Sequence, residues 1–453
     1  MKKSLLTLAI LLAYAGMYAQ DKGNDTIRFN AYGQMVGRVP LIAENQNGIL
    51  VFESKDQSIK TWFDLRVNFD GAHYFDQNAL NAIGDGASIR RMRFAMKTNL
   101  YHPWYGELDL NFAGGQLDIK DSYMGYFSEE GKYFFRAGYF KEPISMETTT
   151  TSRYQTFIEE PYSDMFAPNR QLGINFSKWD DKYLGIIGVH FNDVESLDVT
   201  TFTQNVNKAS GTDEGYSITG KAVYRPIDLD HQVIHIGISG SYRTPKTIWE
   251  LPNTIRYSSR DMTSINRKKY LDTDNIPNVV SNILLGGELA ASFNNFKFAS
   301  EYLYTKINRQ AGFENYQAGS GWAAVSYLIF GGKYNYDNEQ GEFTQVTRGK
   351  KWGDIELALR YDYINLNDTK ALIMGGSANG YTAGVTYHVN PNVKFMLNYS
   401  YINHDRYANG KGKLFVGHDA TGALTTDYTK ITEPAGKGGD DYSYIQARAE
   451  IDF

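Results

Sequence analysis

From about residue 60 onward the chain alternates apolar and polar positions with a period of two, in runs of about ten residues, the length of a tilted membrane-crossing strand. In 393–401, Val393, Phe395, Leu397, Tyr399 and Tyr401 share one face, and Lys394, Met396, Asn398 and Ser400 share the other. In 355–363, Ile355, Leu357, Leu359, Tyr361 and Tyr363 oppose Glu356, Ala358, Arg360 and Asp362. In 63–70, Phe63, Leu65, Val67 and Phe69 oppose Asp64, Arg66, Asn68 and Asp70, and in 104–112, Trp104, Leu108, Leu110 and Phe112 oppose Tyr105, Glu107, Asp109 and Asn111. Successive side chains of a strand point to opposite faces, so each run predicts a strand with one apolar and one charged face.

A soluble sandwich alternates in the same way. Three features favour a barrel in lipid. Aromatic residues sit at strand ends, as Tyr101 and Trp104 do around His102-Pro103, like the interfacial girdles of outer-membrane barrels. Short connections (102–103, 128–131, 179–181, 294–295, 390–392) alternate with long ones (142–169, 194–214, 245–282, 405–441), the rhythm of short periplasmic turns and long outer loops. The chain ends on a strand, where Ile445, Ala447, Ala449, Ile451 and Phe453 oppose Gln446, Arg448, Glu450 and Asp452.

The pattern predicts sixteen strands: 60–70, 87–101, 104–114, 119–127, 132–141, 170–178, 183–193, 215–226, 233–244, 283–294, 296–308, 319–330, 354–366, 380–390, 393–404 and 442–453. The expected fold class is all-β, a transmembrane antiparallel β-barrel of about 16 strands with a water-filled lumen and an inward-folded third loop. The barrel takes 60–453, and 20–59 is a pre-barrel segment or periplasmic tail. An even count puts both termini on the periplasmic side, which makes 331–353 an unusually long periplasmic connection.

Residues 1–19 have the layout of a secretory signal peptide: Lys2 and Lys3, then the apolar stretch Leu5 to Tyr14, then Ala19 before Gln20-Asp21. No later run of about 18 apolar residues predicts a helical span. An exported chain whose strands carry a greasy face is thereby directed to the bacterial outer membrane. The absence of cysteine removes disulfides, thiolate metal ligands and thiol nucleophiles. With 46 basic against 51 acidic residues, the chain lacks the positive balance of a nucleic-acid binder.

The densest basic patch is Arg90-Arg91-Met92-Arg93-Phe94-Ala95-Met96-Lys97. With Met92, Phe94 and Met96 toward lipid, Arg91, Arg93 and Lys97 face the lumen, and Arg90 falls out of register at a bulge or rim. Arg66, Arg360 and Lys394 are further lumen candidates. Cations lining a pore attract anions and offer forked donors to oxyanions. The alternative is that they pair with Asp64, Glu107, Asp109, Asp362 and Glu450. The connection 142–169 is long enough to be functional; folded inward it narrows the pore, with Thr151 and Ser152 hydroxyls beside Arg153 as an oxyanion site. A solvated surface loop is the other reading.

Several stretches carry a family resemblance: Ile89-Arg90-Arg91; Arg136-Ala137-Gly138-Tyr139-Phe140-Lys141-Glu142-Pro143; Tyr154-Gln155-Thr156-Phe157-Ile158-Glu159; Met165-Phe166-Ala167-Pro168-Asn169-Arg170-Gln171-Leu172-Gly173; and, late in the chain, Gly380 to Gly384 and Asn390 to Phe395. With these the chain resembles the phosphate-selective porin O and P family, from about Gly48 to Phe453. The resemblance implies a homotrimer, a third loop folded into the pore, and an arginine ladder with a lysine-rich region guiding phosphate or related anions. Arg90 and Arg91 match the paired arginines of strand two, Lys141 the lysine that starts the constriction loop, and Thr151, Ser152 and Arg153 its Ser-Ser-Lys. Lys333, Arg348, Lys350 and Lys351 lie where the family has an inward-folding basic connection. Where the family commonly has arginine, Ile158-Glu159 is followed by Glu160, and a carboxylate there opposes anion capture.

The expected function is therefore passive diffusion of small hydrophilic solutes, anions such as phosphate or polyphosphate foremost, without a cofactor. The alternatives are a general, weakly selective porin, or a surface adhesin or receptor barrel using loops 245–282 and 405–441. An enzyme is disfavoured: the histidines show no metal spacing or nucleophile motif, and His231 and His235, four apart on a strand, stand about 13 Å from each other.

Overall fold

Each strand of the barrel pairs with its neighbour in sequence, and the last closes on the first. The strands are β1 (Ile59–Phe75), β2 (Gly86–Leu100), β3 (Trp104–Asn111), β4 (Asp118–Ser128), β5 (Tyr133–Lys141), β6 (Arg170–Trp179), β7 (Tyr183–His190), β8 (Ser217–Leu229), β9 (Gln232–Arg243), β10 (Val279–Phe293), β11 (Phe296–Arg309), β12 (Tyr316–Leu328), β13 (Asp354–Asp368), β14 (Ile373–His388), β15 (Val393–His404) and β16 (Asp441–Asp452). All pairings are antiparallel, and the seam sets Ser443 of β16 opposite Phe75 of β1 and Asp452 opposite Arg66. Closure satisfies every strand edge within the sheet, which a membrane interior demands. This computed structural model describes residues 28–29, 32–37, 39–75, 79–191, 193–194, 197–245, 252–266, 268–434 and 436–453. The expected signal peptide, 1–19, lies outside them.

The sixteen expected strands are all present, with differences at their ends. The largest is at β14, which begins at Ile373 rather than 380. Its first residues, Ile373-Met374-Gly375-Gly376-Ser377-Ala378-Asn379, carry no apolar/polar alternation, because alternation marks only the part of a strand that separates lipid from lumen.

Burial is inverted relative to a soluble protein. On β13, Leu357, Leu359 and Tyr361 are exposed while Glu356, Arg360 and Asp362 are buried. On β15, Phe395, Leu397, Tyr399 and Tyr401 are exposed while Lys394, Asn398 and Ser400 are buried. The apolar rows point outward and the polar rows inward, as lipid outside and water inside require.

Part of 20–59 forms a hairpin, Leu41–Gln46 with Ile49–Ser54, whose second strand pairs with the start of β1. Its turn is Asn47-Gly48, both at positive φ (53° and 89°), the conformation that Asn-Gly adopts at least cost in a two-residue hairpin. The hairpin continues the seam below the end of β16 and is tied there by Asn392 Nδ2, which donates to the Asn47 carbonyl at 2.6 Å.

Among the described residues, three connections in particular reach inside the barrel. The connection 142–169, the third along the long-loop rim and called the third connection from here on, is described below. From the same rim, 252–278 brings in Asp261, which accepts from Tyr162 (2.7 Å) and Tyr442 (2.5 Å) hydroxyls, and Ile265, whose carbonyl accepts from Tyr74 at 2.7 Å. Around these bonds Tyr257, Met262, Ile265, Phe166 and Tyr162 pack with inward residues of β1, β10 to β12 and β13 to β16 into an apolar core. From the short-turn rim, 329–353 enters as a small hairpin, Tyr336–Asp337 with Glu342–Phe343. Tyr334 and Phe343 of that segment pack with Met146, Trp322 and Leu328.

Candidate functional site: the charged lumen

The third connection crosses the bore because lumen-facing side chains on strands all round the barrel hold its backbone and polar groups. Glu142, at its start, accepts from Arg243 at 2.7 Å and from Ser217 at 3.0 Å. Ser145 caps the short helix Met146–Thr149 by accepting from the Thr148 N–H, while its own hydroxyl donates to Glu301 of β11 at 2.8 Å. Farther along, Lys297 (β11) donates to Thr156, Arg360 (β13) to the Glu159 carbonyl, Lys394 (β15) to the Arg153 carbonyl and Arg66 (β1) to the Ser152 hydroxyl. Apolar side chains complete the seating: Ile144, Met146, Phe157 and Ile158 are all buried.

The basic patch of β2 lies where its register predicts. Asn68 pairs with Arg91 and Phe69 with Ile89, so Arg90 stands unpaired in a bulge. Bulging turns Arg90 onto Glu159, which its Nε and Nη2 contact at 2.7 and 3.0 Å. Arg91 is buried, with Glu160 at 3.6 Å. Arg93 has Asp109 at 3.6 Å, and Lys97 has Asp64 and Glu107, each at 3.5 Å. Arg153 is paired with Asp64. Arg360 pairs with Asp362 at 2.7 Å and Lys394 with Glu450 at 3.1 Å. Thus every carboxylate named as a candidate partner in the sequence carries a lumen cation.

On the third connection, Glu159 and Glu160 are held as anions. Burial alone raises the Glu159 carboxyl; the Arg90 and Arg448 guanidiniums outweigh it and hold it down at about 2. Burial likewise opposes ionisation of Glu160, and Arg91 overcomes it, leaving the group below its ordinary value. Asp164, buried and repelled by Glu160, is pushed up to about 7.

Several cavities flank the middle of this connection, and two of them are large. One, of about 310 Å³, lies against the wall of β1 to β8. Eight cations line it (Arg66, Arg93, Lys97, Arg136, Lys141, Arg153, Arg170, Lys221) against five carboxylates (Asp64, Glu107, Asp109, Asp121, Glu342). The other, of about 370 Å³, opens toward the short-turn rim beside Lys60, Trp62, Lys297, Lys394 and Glu450. Arg153 and Tyr154 line both cavities, so the centre of the connection forms the wall between them.

The sequence profile of the phosphate-selective porin O and P family matches residues 63–425. The chain belongs to that family. A relative from Caulobacter vibrioides, named only as an uncharacterized protein, is 23% identical over 359 residues, or 78% of this porin and 70% of the relative. An anion-selective porin from Comamonas acidovorans covers 87% of this chain and 100% of its own at 11% identity, with a TM-score of 0.51. OmpT of Vibrio cholerae, in its trimer form, covers the same shares at 9% identity and a TM-score of 0.51. At such identities these structures attest the fold. Family and fold together make the chain an outer-membrane porin.

Of the residues implied by family resemblance, Lys141 donates to the Thr148 and Thr150 carbonyls (2.5 and 3.1 Å), and the Thr151 N–H donates to Glu342 at 3.1 Å. The connection 329–353 does enter the porin, but not through its basic residues. Lys350 and Lys351 are exposed, and Arg348 donates to the Val389 carbonyl at the rim, whereas the part that reaches the chamber carries Gln340 and Glu342.

Arg136 is a chamber cation that the reading of charge rows passed over. Its guanidinium lies 4.2 Å from the Phe140 ring centroid and 5.2 Å from that of Tyr123. Among the described residues, neither Arg136 nor Lys141 has a carboxylate within 4.0 Å. The available signal was alternation in 133–141, which sets Phe134, Arg136 and Phe140 on one face; the apolar neighbours disguised it as a lipid row. Arg170, which opens β6, pairs with Asp121 at 2.6 Å. His235 meets Glu288 (3.0 Å) and Tyr336 (2.6 Å), and His231 lies beside Asp230, so the two histidines serve different neighbours.

Proposed function

We propose that this porin gives passive diffusion of small hydrophilic solutes with a modest preference for anions. The observation that carries the reading is the chamber beside the third connection, where Arg136 and Lys141 stand without a carboxylate partner among side chains that are cationic in excess. Rings of one charge sign set selectivity in water-filled pores, and a site there must hold its ion loosely enough to release it. Preference for anions is modest because Arg90, Arg91, Arg93, Lys97 and Arg153 each face a carboxylate. Those five, with Lys141, Thr151 and Ser152, form the proposed solute pathway, to which Arg136 is added.

Phosphate or polyphosphate is the solute class that the family suggests, and the forked donors of Arg136 suit such oxyanions. We further infer a homotrimer, in line with the trimer form of the V. cholerae protein. Reversal potentials in a potassium chloride gradient across planar bilayers test the reading. The expected sign is that of chloride preference; potassium preference in the wild type overturns it.

A further inference from the structure

Glu342 stands out among the lumen carboxylates. It is 6% exposed, lines the cationic chamber and makes no ion pair within 4.0 Å among the described residues. Its Oε2 accepts from the Thr151 N–H at 3.1 Å, so it meets the third connection where that connection narrows the bore. It arrives from the opposite rim, on the hairpin Tyr336–Asp337 with Glu342–Phe343.

The neighbouring residue fixes its direction. Phe343 is buried in the apolar cluster with Tyr334, Met146 and Trp322. Adjacent residues of a strand point to opposite sides, so anchoring Phe343 in that cluster turns Glu342 into the chamber. Asn338 at the hairpin turn donates to Asp228 at 2.5 Å, and Tyr336 meets His235 at 2.6 Å, which hold the hairpin against β8 and β9. The carboxylate thus shares the chamber with Lys141, a cation without a carboxylate within 4.0 Å among the described residues. Burial pushes the Glu342 carboxyl up to about 7, against the opposing pull of the Lys141 ammonium.

We propose that Glu342 is a specificity-determining residue of the pore: its carboxylate offsets the β5 cations that lack a carboxylate partner and limits how strongly the chamber prefers anions. The inference rests on the anion reading for its direction but concerns the charge of one side chain. A buried carboxylate that lines a cavity without closing a salt bridge acts on whatever ion enters that cavity.

The test is E342Q in planar bilayers at pH 8 under a potassium chloride gradient. The amide oxygen still accepts from Thr151, so the hairpin's hold on the third connection is kept. The expected result is a chloride-to-potassium permeability ratio raised by a factor on the order of 2–3, as loss of one screened charge implies. E342D, which keeps the charge, is expected to stay near the wild-type ratio. An unchanged ratio in E342Q, or an equal shift in E342D and E342Q, overturns the proposal; E342N takes the place of E342Q if the latter forms no channels. If the wild type prefers potassium and E342Q still moves toward chloride, the anion reading fails while the role of Glu342 stands.

Discussion

Arg90 and Glu159 form a two-pronged ion pair, at 2.7 and 3.0 Å, that fastens the bulge of β2 to the third connection. Glu159 also accepts from Arg448 of β16 at 3.1 Å, and Arg448 in turn holds Asp70 of β1 at 2.7 Å. One carboxylate therefore ties the inward segment to both sides of the seam. Replacing it leaves the buried Arg448 guanidinium and the partly exposed Arg90 guanidinium short of a partner, and breaking a buried pair costs about 3–5 kcal/mol. E159A is expected to unfold at lower temperature than the wild type, as followed by circular dichroism in detergent, with noisier single-channel current from a loosened connection.

Arg136 and Arg93 line the same chamber but differ in company. Arg93 has Asp109 at 3.6 Å, whereas Arg136 rests on aromatic rings. R136Q removes an uncompensated charge and is expected to lower the chloride-to-potassium permeability ratio clearly. R93Q frees Asp109 as it removes a cation, so a local pair loses its balance rather than the chamber its main attraction. Reversal potentials that rank R93Q above R136Q in effect contradict the assignment.

The third connection forms the wall between two cavities through Arg153 and Tyr154. Excising 148–156 joins those cavities. Single-channel conductance in molar potassium chloride is expected to rise severalfold; an unaltered step size shows that the connection does not limit flow.

Burial pushes Glu339, Glu342 and Asp164 up to about 7. A carboxyl is charged above its pKa and neutral below it, so these groups shed negative charge as pH falls from about 8 to about 6. The lumen becomes more positive over that interval, and chloride preference is expected to grow. A reversal potential that is flat, or that moves toward potassium on acidification, counts against the raised values.

Much of the barrel was legible because lipid imposes a simple rule on each strand. Rows such as Phe395, Leu397, Tyr399 and Tyr401 are apolar for local reasons, and their period shows without knowledge of any other segment. The bulge at Arg90 was legible for the same reason, since one misplaced arginine breaks the row. The partners were not. Glu159 lies 69 positions from Arg90, and Glu301 lies 156 from Ser145, and no spacing announces such contacts. The inward course of 142–169 left a quieter trace: Ile144, Met146, Phe157 and Ile158 are more apolar than a solvated loop needs. The acidic reach of 329–353 is hidden in the sequence because its lysines and arginine outnumber the one carboxylate, Glu342, that enters the chamber.

The seam described above joins residues 66–75 with 443–452, and the Asn47-Gly48 hairpin extends it from the amino-terminal side. The two extremities of the sheet are thus adjacent in space and remote along the polypeptide. The cylinder cannot be sealed until β16 has been synthesised and delivered to the membrane, so a truncation that removes 441–453 leaves an open, edge-exposed sheet instead of a slightly smaller channel.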